Sequence, residues 1–307
     1  MAVTGFPQFG LCHAADRWFS HRAPACRPPP RRRLMPGAVL AGSAGWWRDA
    51  GRGGREMLLL HCTLAHSGAW KGVMAQLDAR FRMRAMDLPG HGRSGPAEER
   101  RSWQRQSSAM AVALLERGGG AADLVGHSFG ATVALRVAVE RPDLTRSLTL
   151  IEPVFFSAAL DAGRPEPAAH MALHAPFFAA LERGELQEAA RAFSALWDGP
   201  GAWEALSAEQ RAYMAARIDM IRRGGESLLG EGEDYIPLAR VGEIPAPVLL
   251  IDGAQSDPVI AAVQESLQSV LPAARRVVVP GAGHMVPITH PRPVAEAILD
   301  FLSPEGR

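Results

Sequence analysis

Gly126-His127-Ser128-Phe129-Gly130 is the stretch that decides the fold of this 307-residue chain. It follows a predicted strand at Asp123-Leu124-Val125, and it opens a helical pattern that extends to about Glu140. A Gly-x-Ser-x-Gly sequence is short enough to occur by chance, so the strand-to-helix context carries the inference. A tight turn there exposes the serine, and the two glycines remove side chains that would collide. The pattern therefore predicts Ser128 as a nucleophile; the alternative is a serine in a structural turn.

Short apolar runs alternate with longer helical patterns from residue 57 onward. Such alternation is typical of a mostly parallel, doubly wound sheet with helices on both faces, so the predicted fold class is α/β. Between residues 154 and 243 the strand pattern disappears. Within that stretch, apolar residues recur at the three-and-four spacing of an amphipathic helix over residues 185–197. We therefore expect one helical insertion there.

The composition excludes several classes of function. Apolar residues make up 47% of the chain and charged residues 21%, and the formal net charge is +1. No apolar run reaches the roughly 20 residues of a membrane-spanning helix, and the charge offers no field that would attract nucleic acid or anionic lipid. We expect a small-molecule substrate, with no nucleic-acid or membrane partner; the oligomeric state stays open.

The three cysteines also bear on location. Cys12, Cys26 and Cys62 are odd in number and lack the spacing of metal ligands, so they suggest no disulfide framework. A reducing, cytoplasmic compartment is therefore expected.

Residues 1–33 differ in composition from the rest, with Pro and Arg concentrated in Arg27-Pro28-Pro29-Pro30-Arg31-Arg32-Arg33. We expect this segment to be poorly ordered. Three interpretations stay open: a genuine segment, an export signal that ends near Ala44, or a translation start placed too far upstream, with Met35 as the true start.

A serine hydroxyl needs a neighbouring base, and His284 is the best placed of the ten histidines. It follows a predicted strand at 276–279 and lies in a Gly-rich loop, from which an imidazole can reach the carboxyl edge of the sheet. The alternative is a surface-loop histidine. His91, between two glycines, is predicted to stabilise a turn.

Three acids could orient that imidazole. Asp257 is the predicted partner, because it lies on the loop beyond a strand end, where its carboxylate can swing toward His284. Asp252 closes that strand and could simply cap the turn, and it stays open as the alternative. Glu152 ends the predicted strand 147–151 with access to the same edge, but before Pro153 we expect it to cap a bend.

Acyl transfer also needs backbone N–H groups that hold the developing oxyanion. Phe129 is expected to supply one, at the helix N-terminus behind the serine. The loop after the strand that ends at His61 is expected to supply the second, from Thr63 with Leu64 behind it. Cys62 is predicted to be a packed small side chain without a base to activate it.

Taken together, these motifs resemble the α/β-hydrolase family over residues 57–302. The resemblance rests on Asp87-Leu88-Pro89-Gly90-His91-Gly92-Arg93-Ser94, on Gly281-Ala282-Gly283-His284 and on the order serine, aspartate, histidine. It implies a capped serine esterase or lipase, with a core of about eight strands from residues 34–153 and 244–307 and a helical cap at 154–243. Two positions depart from the family: His61-Cys62 stands where His-Gly is usual, and the acid lies one residue further past the glycine than in many members.

The predicted activity is hydrolysis of a small carboxylic ester or lactone through an acyl-enzyme intermediate. Ser128 attacks, His284 transfers the proton, Asp257 orients it, and the N–H groups of Thr63 and Phe129 hold the oxyanion. No metal or organic cofactor is implied. The same triad could serve carbon–carbon bond or thioester hydrolysis, and the same fold could serve as a non-catalytic ligand receptor.

Substrate choice is expected to depend on the helical insertion. Its larger apolar side chains could line a pocket or pack the insertion's own core. They are Met171, Phe177, Phe178, Phe193, Trp197 and Trp203.

Overall fold

The computed structural model describes residues 36–199, 201–230 and 232–303, with only the backbone of Glu226. The predicted N-terminal segment 1–33, including Cys12 and Cys26, lies outside the described residues, so its three interpretations stay open.

A seven-stranded sheet forms the centre of the described chain, in the order β3-β5-β4-β6-β7-β8-β9. Its strands are β3 (Trp47–Ala50), β4 (Arg55–Leu60), β5 (Phe81–Met86), β6 (Ala122–His127), β7 (Thr145–Ile151), β8 (Val248–Gly253) and β9 (Arg275–Val279). All neighbours pair in parallel except β3 with β5. A separate antiparallel hairpin, β1 (Ala38–Leu40) with β2 (Ser43–Gly45), precedes it.

The central strands are buried on both faces, which accounts for the continuous apolar runs of the sequence. Every residue of β6 and β8 is buried, as expected for central parallel strands covered on both faces. The predicted α/β fold class is confirmed, with each strand predicted from residue 57 onward found within about two residues of its expected bounds.

Helices cover both faces of the sheet. Those outside the region between β7 and β8 are α1 (Lys71–Leu77), α2 (Trp103–Gly118), α3 (Phe129–Glu140), α12 (Pro258–Val270), α13 (Val286–Thr289) and α14 (Pro291–Phe301). Those between β7 and β8 are α4 (Phe156–Asp161), α5 (Glu166–Leu173), α6 (Ala175–Glu182), α7 (Leu186–Trp197), α8 (Ala202–Ala205), α9 (Ala208–Ala215), α10 (Asp219–Leu229) and α11 (Leu238–Val241). Short 3₁₀ turns occupy Ser67–Trp70, Pro142–Leu144 and Gly232–Asp234.

We call residues 154–243 the helical insert. Its described residues form helices and no strand, as the loss of strand pattern predicts. The insert has an apolar core of its own, which includes Phe177, Trp203 and Ile218 and also takes in Leu64 from the loop after β4. The capping box expected at the start of α9 is present, because Ser207 and Gln210 bond each other's backbone N–H groups.

No helix in the described ranges is long and apolar enough to cross a bilayer.

The turn between β6 and α3 generates a stability prediction. A Cβ added at Gly130 would lie 2.3 Å from the carbonyl oxygen of Leu60 and 2.5 Å from that of His61, both backbone atoms of the central strand region. We expect Gly130→Ala to lower the free energy of unfolding by roughly 1–3 kcal/mol or more, since backbone cannot move aside as a side chain can. Chemical denaturation followed by circular dichroism measures the change.

The matched control is Gly225→Ala in α10, where an added Cβ meets nothing within 4 Å. Alanine there should be neutral or stabilising, because it has the higher helix propensity. Equal effects of the two substitutions would contradict the close-packing explanation.

Candidate active site

Ser128 occupies a strained turn between β6 and α3. Its backbone has φ 54° and ψ −120°, a region that costs free energy for any residue with a side chain. The turn persists because the backbone on its two sides is in close contact. A Cβ added at Gly126 would lie 2.3 Å from the carbonyl oxygen of Gly130. The Ser128 N–H also donates to the Ile151 carbonyl, at 2.9 Å. The Ser128 side chain is therefore held at the carboxyl edge of the sheet, at the N-terminus of α3.

His284 lies between this serine and a buried carboxylate. The Ser128 Oγ is 3.0 Å from the His284 Nε2, and the His284 Nδ1 is 3.0 Å from the Glu152 Oε2. Glu152 is fully buried, directly after β7, and its φ is 51°. The Ser256 hydroxyl and the Gly253 N–H both donate to its other oxygen at 2.6 Å. The serine, the imidazole and the carboxylate thus form one continuous hydrogen-bonded chain.

The structure corrects the position expected for Asp257. Its Oδ2 lies 3.1 Å from the His170 Nδ1, and its Oδ1 accepts the Val259 N–H at the start of α12. The expected contact between Asp257 and His284 is therefore not made. In the sheet order β6-β7-β8, the loop after β7 is one strand from Ser128 and the loop after β8 is two strands away.

The two other acids are also placed differently from expectation. Asp252 forms a bidentate ion pair with Arg276, with nitrogen-to-oxygen distances of 3.0 and 2.7 Å, so it is not beside His284. Glu152 was expected to cap a bend before Pro153; instead its carboxylate bonds the imidazole and the loop after β8. The available signal was a carboxylate directly after a predicted parallel strand, since the carboxyl ends of parallel strands meet at one edge of the sheet.

The two residues whose N–H groups are expected to hold the oxyanion line the same cavity as the serine. Phe129 is the first residue of α3, and Thr63 lies in the loop after β4; both line the cavity together with Ser128. The neighbouring Leu64 N–H donates to the His91 Nε2 at 3.1 Å, so it is already engaged. Of the two candidates on this loop, Thr63 is therefore the better placed.

Cys62 lies in the same loop, where the family resemblance leads one to expect glycine. The positive φ of this loop falls on Leu64, at 63°, and Cys62 is not among the described residues with positive φ, so no glycine is required at 62. Burial raises the pKa of the Cys62 thiol to about 12, because the thiolate is disfavoured away from water. The side chain is a packed neutral thiol.

Three buried histidines connect the loops around the serine. The His61 Nε2 accepts the Leu88 N–H at 2.9 Å, the His91 Nε2 accepts the Leu64 N–H, and the His127 Nε2 lies 2.8 Å from the His284 carbonyl oxygen. Burial lowers the pKa of His61 to about 4 and the pKa values of His91 and His127 to about 3. They are neutral structural groups, and His91 joins two loops in addition to its predicted turn.

A cavity of about 450 Å³ opens onto Ser128 and His284. Of the apolar residues singled out in the insert, Met171, Phe178, Phe193 and Trp197 line it, and Phe177 and Trp203 pack in the core of the insert. The Trp197 ring lies 4.1 Å from the His284 ring, measured between centroids. The cavity wall is thus mainly apolar, and it meets the polar groups at one end.

Among the described residues, no three His, Cys, Asp or Glu side chains are grouped so that they could hold a metal ion.

A model of the alpha/beta hydrolase family matches residues 57–297. The chain is 28% identical over 264 residues to the pimeloyl-(acyl-carrier protein) methyl ester esterase of Edwardsiella ictaluri, across 84% of this chain and 97% of that protein. It is 29% identical over 270 residues to the 2-(acetamidomethylene)succinate hydrolase of Mesorhizobium japonicum, across 81% and 88% of the two chains. The crystal structure of E-2-(acetamidomethylene)succinate hydrolase is similar in fold, with a TM-score of 0.64, 24% identity and coverage of 88% and 98%.

The buried histidines generate a prediction on pH and stability. Their pKa values in the folded protein lie below the value of about 6.5 expected on unfolding, so below that pH the unfolded chain binds more protons. The stabilisation from each is complete above about pH 6.5 and decreases as the pH falls, by about 2 kcal/mol per histidine at pH 5. Urea denaturation at about pH 7.5 and at about pH 5 measures it.

His91→Gln is the test variant, because glutamine keeps a donor and an acceptor but does not titrate. Whatever its absolute stability, its loss of unfolding free energy between the two pH values should be smaller than that of the wild type by about 2 kcal/mol. An identical loss in both proteins would show that His91 is not held neutral by burial.

Proposed function

This chain belongs to the alpha/beta hydrolase family and is a hydrolase, and we propose that it cleaves a small carboxylic ester or lactone through an acyl-enzyme intermediate on Ser128. The observation that carries the proposal is the hydrogen-bonded chain from the Ser128 Oγ through His284 to Glu152. Its two links of 3.0 Å match the geometry of a nucleophile, a base and the acid that orients the base.

The proposed first half-reaction forms the acyl-enzyme. As the Ser128 Oγ attacks the ester carbonyl carbon, its proton moves to the His284 Nε2. The Glu152 carboxylate accepts the His284 Nδ1–H, which keeps the Nε2 free to receive a proton and stabilises the imidazolium that forms. The imidazolium then gives the proton to the departing alcohol oxygen, and the carbon–oxygen bond breaks.

The second half-reaction releases the acid. His284 takes a proton from water as the water oxygen attacks the acyl carbonyl carbon, and it returns that proton to the Ser128 Oγ when the acyl bond breaks. In both halves, the N–H groups of Thr63 and Phe129 donate to the carbonyl oxygen as it becomes negatively charged.

Glu152 is supported by its own hydrogen bonds. Because Ser256 and the Gly253 N–H donate to one carboxylate oxygen, the other is directed at the imidazole. The loop after β8 thus contributes donors that position the acid.

Ester hydrolysis is favoured among the possible acyl substrates by the relative named as a pimeloyl-(acyl-carrier protein) methyl ester esterase. The helical insert supports a cap role, because it supplies much of the cavity wall over Ser128. We also propose the division into a core at 34–153 and 244–307 and a cap at 154–243, and a cytoplasmic location, which rests on the cysteine arrangement alone.

Ser128→Ala tests the proposal directly. Steady-state hydrolysis of a short p-nitrophenyl ester should fall by at least about 10³-fold, because the nucleophile is lost and only residual oxyanion stabilisation remains. A fluorophosphonate probe should label the wild type at Ser128 and leave the variant unlabelled. Equal catalysed rates in the two proteins would contradict the role of Ser128, and rates in both no higher than the uncatalysed rate would favour a ligand receptor.

Glu152→Gln separates the acid that contacts His284 from the acid predicted from the sequence. An amide cannot stabilise the imidazolium and can select the wrong tautomer of His284, so kcat should fall by about 10³-fold or more. Asp257→Asn is the matched control and should retain most of the activity, since Asp257 contacts His170 and the start of α12. The reverse pattern, with Asp257→Asn inactive and Glu152→Gln active, would restore Asp257 as the acid.

A further inference from the structure

The charge content of the cavity points to the class of ester that it accepts. Asp198 caps the C-terminus of α7, directly after Trp197, whose ring contacts His284. It is the one carboxylate among the described residues that line the cavity. The described lining residues include no lysine and no arginine that could pair with an anion.

The Asp198 carboxylate has capacity for a further partner. The Ser194 hydroxyl donates to its Oδ2 at 2.7 Å, and within the described chain this is the one side-chain donor that it has. Asp198 is an exposed residue, but loss of hydration around its carboxylate raises its pKa, while the Ser194 hydrogen bond and the nearby His284 act in the opposite direction. A hydrogen-bond donor or a cation brought beside it would stabilise the carboxylate further.

The rest of the cavity wall also favours cationic ligands over anionic ones. Phe178, Phe193 and Trp197 present aromatic rings to the cavity, and such rings attract cations at their faces. A second carboxylate brought into this cavity would lose its hydration without a counter-charge and would lie in the field of Asp198. An uncharged acyl chain has no charge to be dehydrated and is not repelled by Asp198.

We propose that Asp198 sets the charge selectivity of the active site: it disfavours esters that carry a carboxylate, and it favours uncharged esters and esters that carry a cation such as a quaternary ammonium group. This inference rests on the proposed function, because the ester must lie in the cavity beside Ser128. It adds a specificity-determining residue that takes no part in proton transfer.

The test uses two pairs of p-nitrophenyl esters matched in shape. The anionic pair is mono-p-nitrophenyl adipate and the ester in which an isopropyl group replaces its carboxylate. The cationic pair is the ester of trimethylammonio-butanoic acid and its tert-butyl isostere. Each pair gives a ratio of kcat/KM, so that a general loss of activity in a variant cancels.

In the wild type we expect the neutral ester to exceed the anionic one by at least about tenfold, and the cationic ester to equal or exceed its neutral isostere. Asp198→Asn removes the charge at nearly constant shape. It should reduce the anionic discrimination by about tenfold and lower the cationic ratio by a similar factor.

The matched control is Glu188→Gln on the same helix, where Glu188 is exposed and pairs with Arg191. It makes the same change in net charge away from the cavity and should leave both ratios as in the wild type. Ratios that stay constant in Asp198→Asn, or that shift equally in Glu188→Gln, would overturn the proposal.

A binding measurement distinguishes failure of this proposal from failure of the proposed function. Calorimetry on Ser128→Ala, with and without Asp198→Asn, measures the affinity for the same four esters without turnover. Charge-dependent affinities that Asp198→Asn abolishes would support Asp198 even if no Ser128-dependent hydrolysis were found. Affinities that do not depend on charge in Ser128→Ala would overturn the proposal even for an active hydrolase.

Discussion

The strained turn at Ser128 is the constraint on which the rest of this site depends. A serine with φ 54° is stable only where the surrounding backbone leaves it no other conformation, and here β4, β6 and the start of α3 approach within van der Waals limits at Gly126 and Gly130. The same turn starts α3, so the Phe129 N–H and the helix N-terminus face the side chain. Among the described non-glycine residues with positive φ, Leu64 and Glu152 also border this site. Strain is thus concentrated where chemical groups must converge.

Burial has opposite consequences for two groups of histidines in this protein. His61, His91 and His127 are neutral because desolvation outweighs the interactions that favour their charged forms. In the neutral form each ring can accept or donate a hydrogen bond that joins one loop to another. His284 has the Glu152 carboxylate on its Nδ1 and can therefore bear a transient positive charge. A difference in one hydrogen-bond partner separates a structural imidazole from a reactive one.

The cavity extends the same electrostatic reasoning to the substrate. Its wall is mainly apolar, its described lining has no lysine or arginine, and Asp198 is its one described carboxylate, so the charge of a ligand interacts mainly with Asp198. The helical insert supplies Asp198 and much of the aromatic wall, and the loops after the strands supply the reacting groups. Reaction and selection therefore reside on different parts of the chain.

Local patterns in the sequence were sufficient for much of this description. Continuous apolar runs predicted the strands, a three-and-four spacing predicted α7, and the Gly-rich turns predicted Ser128 and His284, because period and turn chemistry act between near neighbours in the chain. The tertiary structure alone decided that Glu152, and not Asp257, contacts His284. That choice depends on the order of β6, β7 and β8 in the sheet and on the donors that the loop after β8 directs at Glu152. Residues this far apart in sequence meet only through tertiary packing, so no local pattern predicts which carboxylate contacts His284.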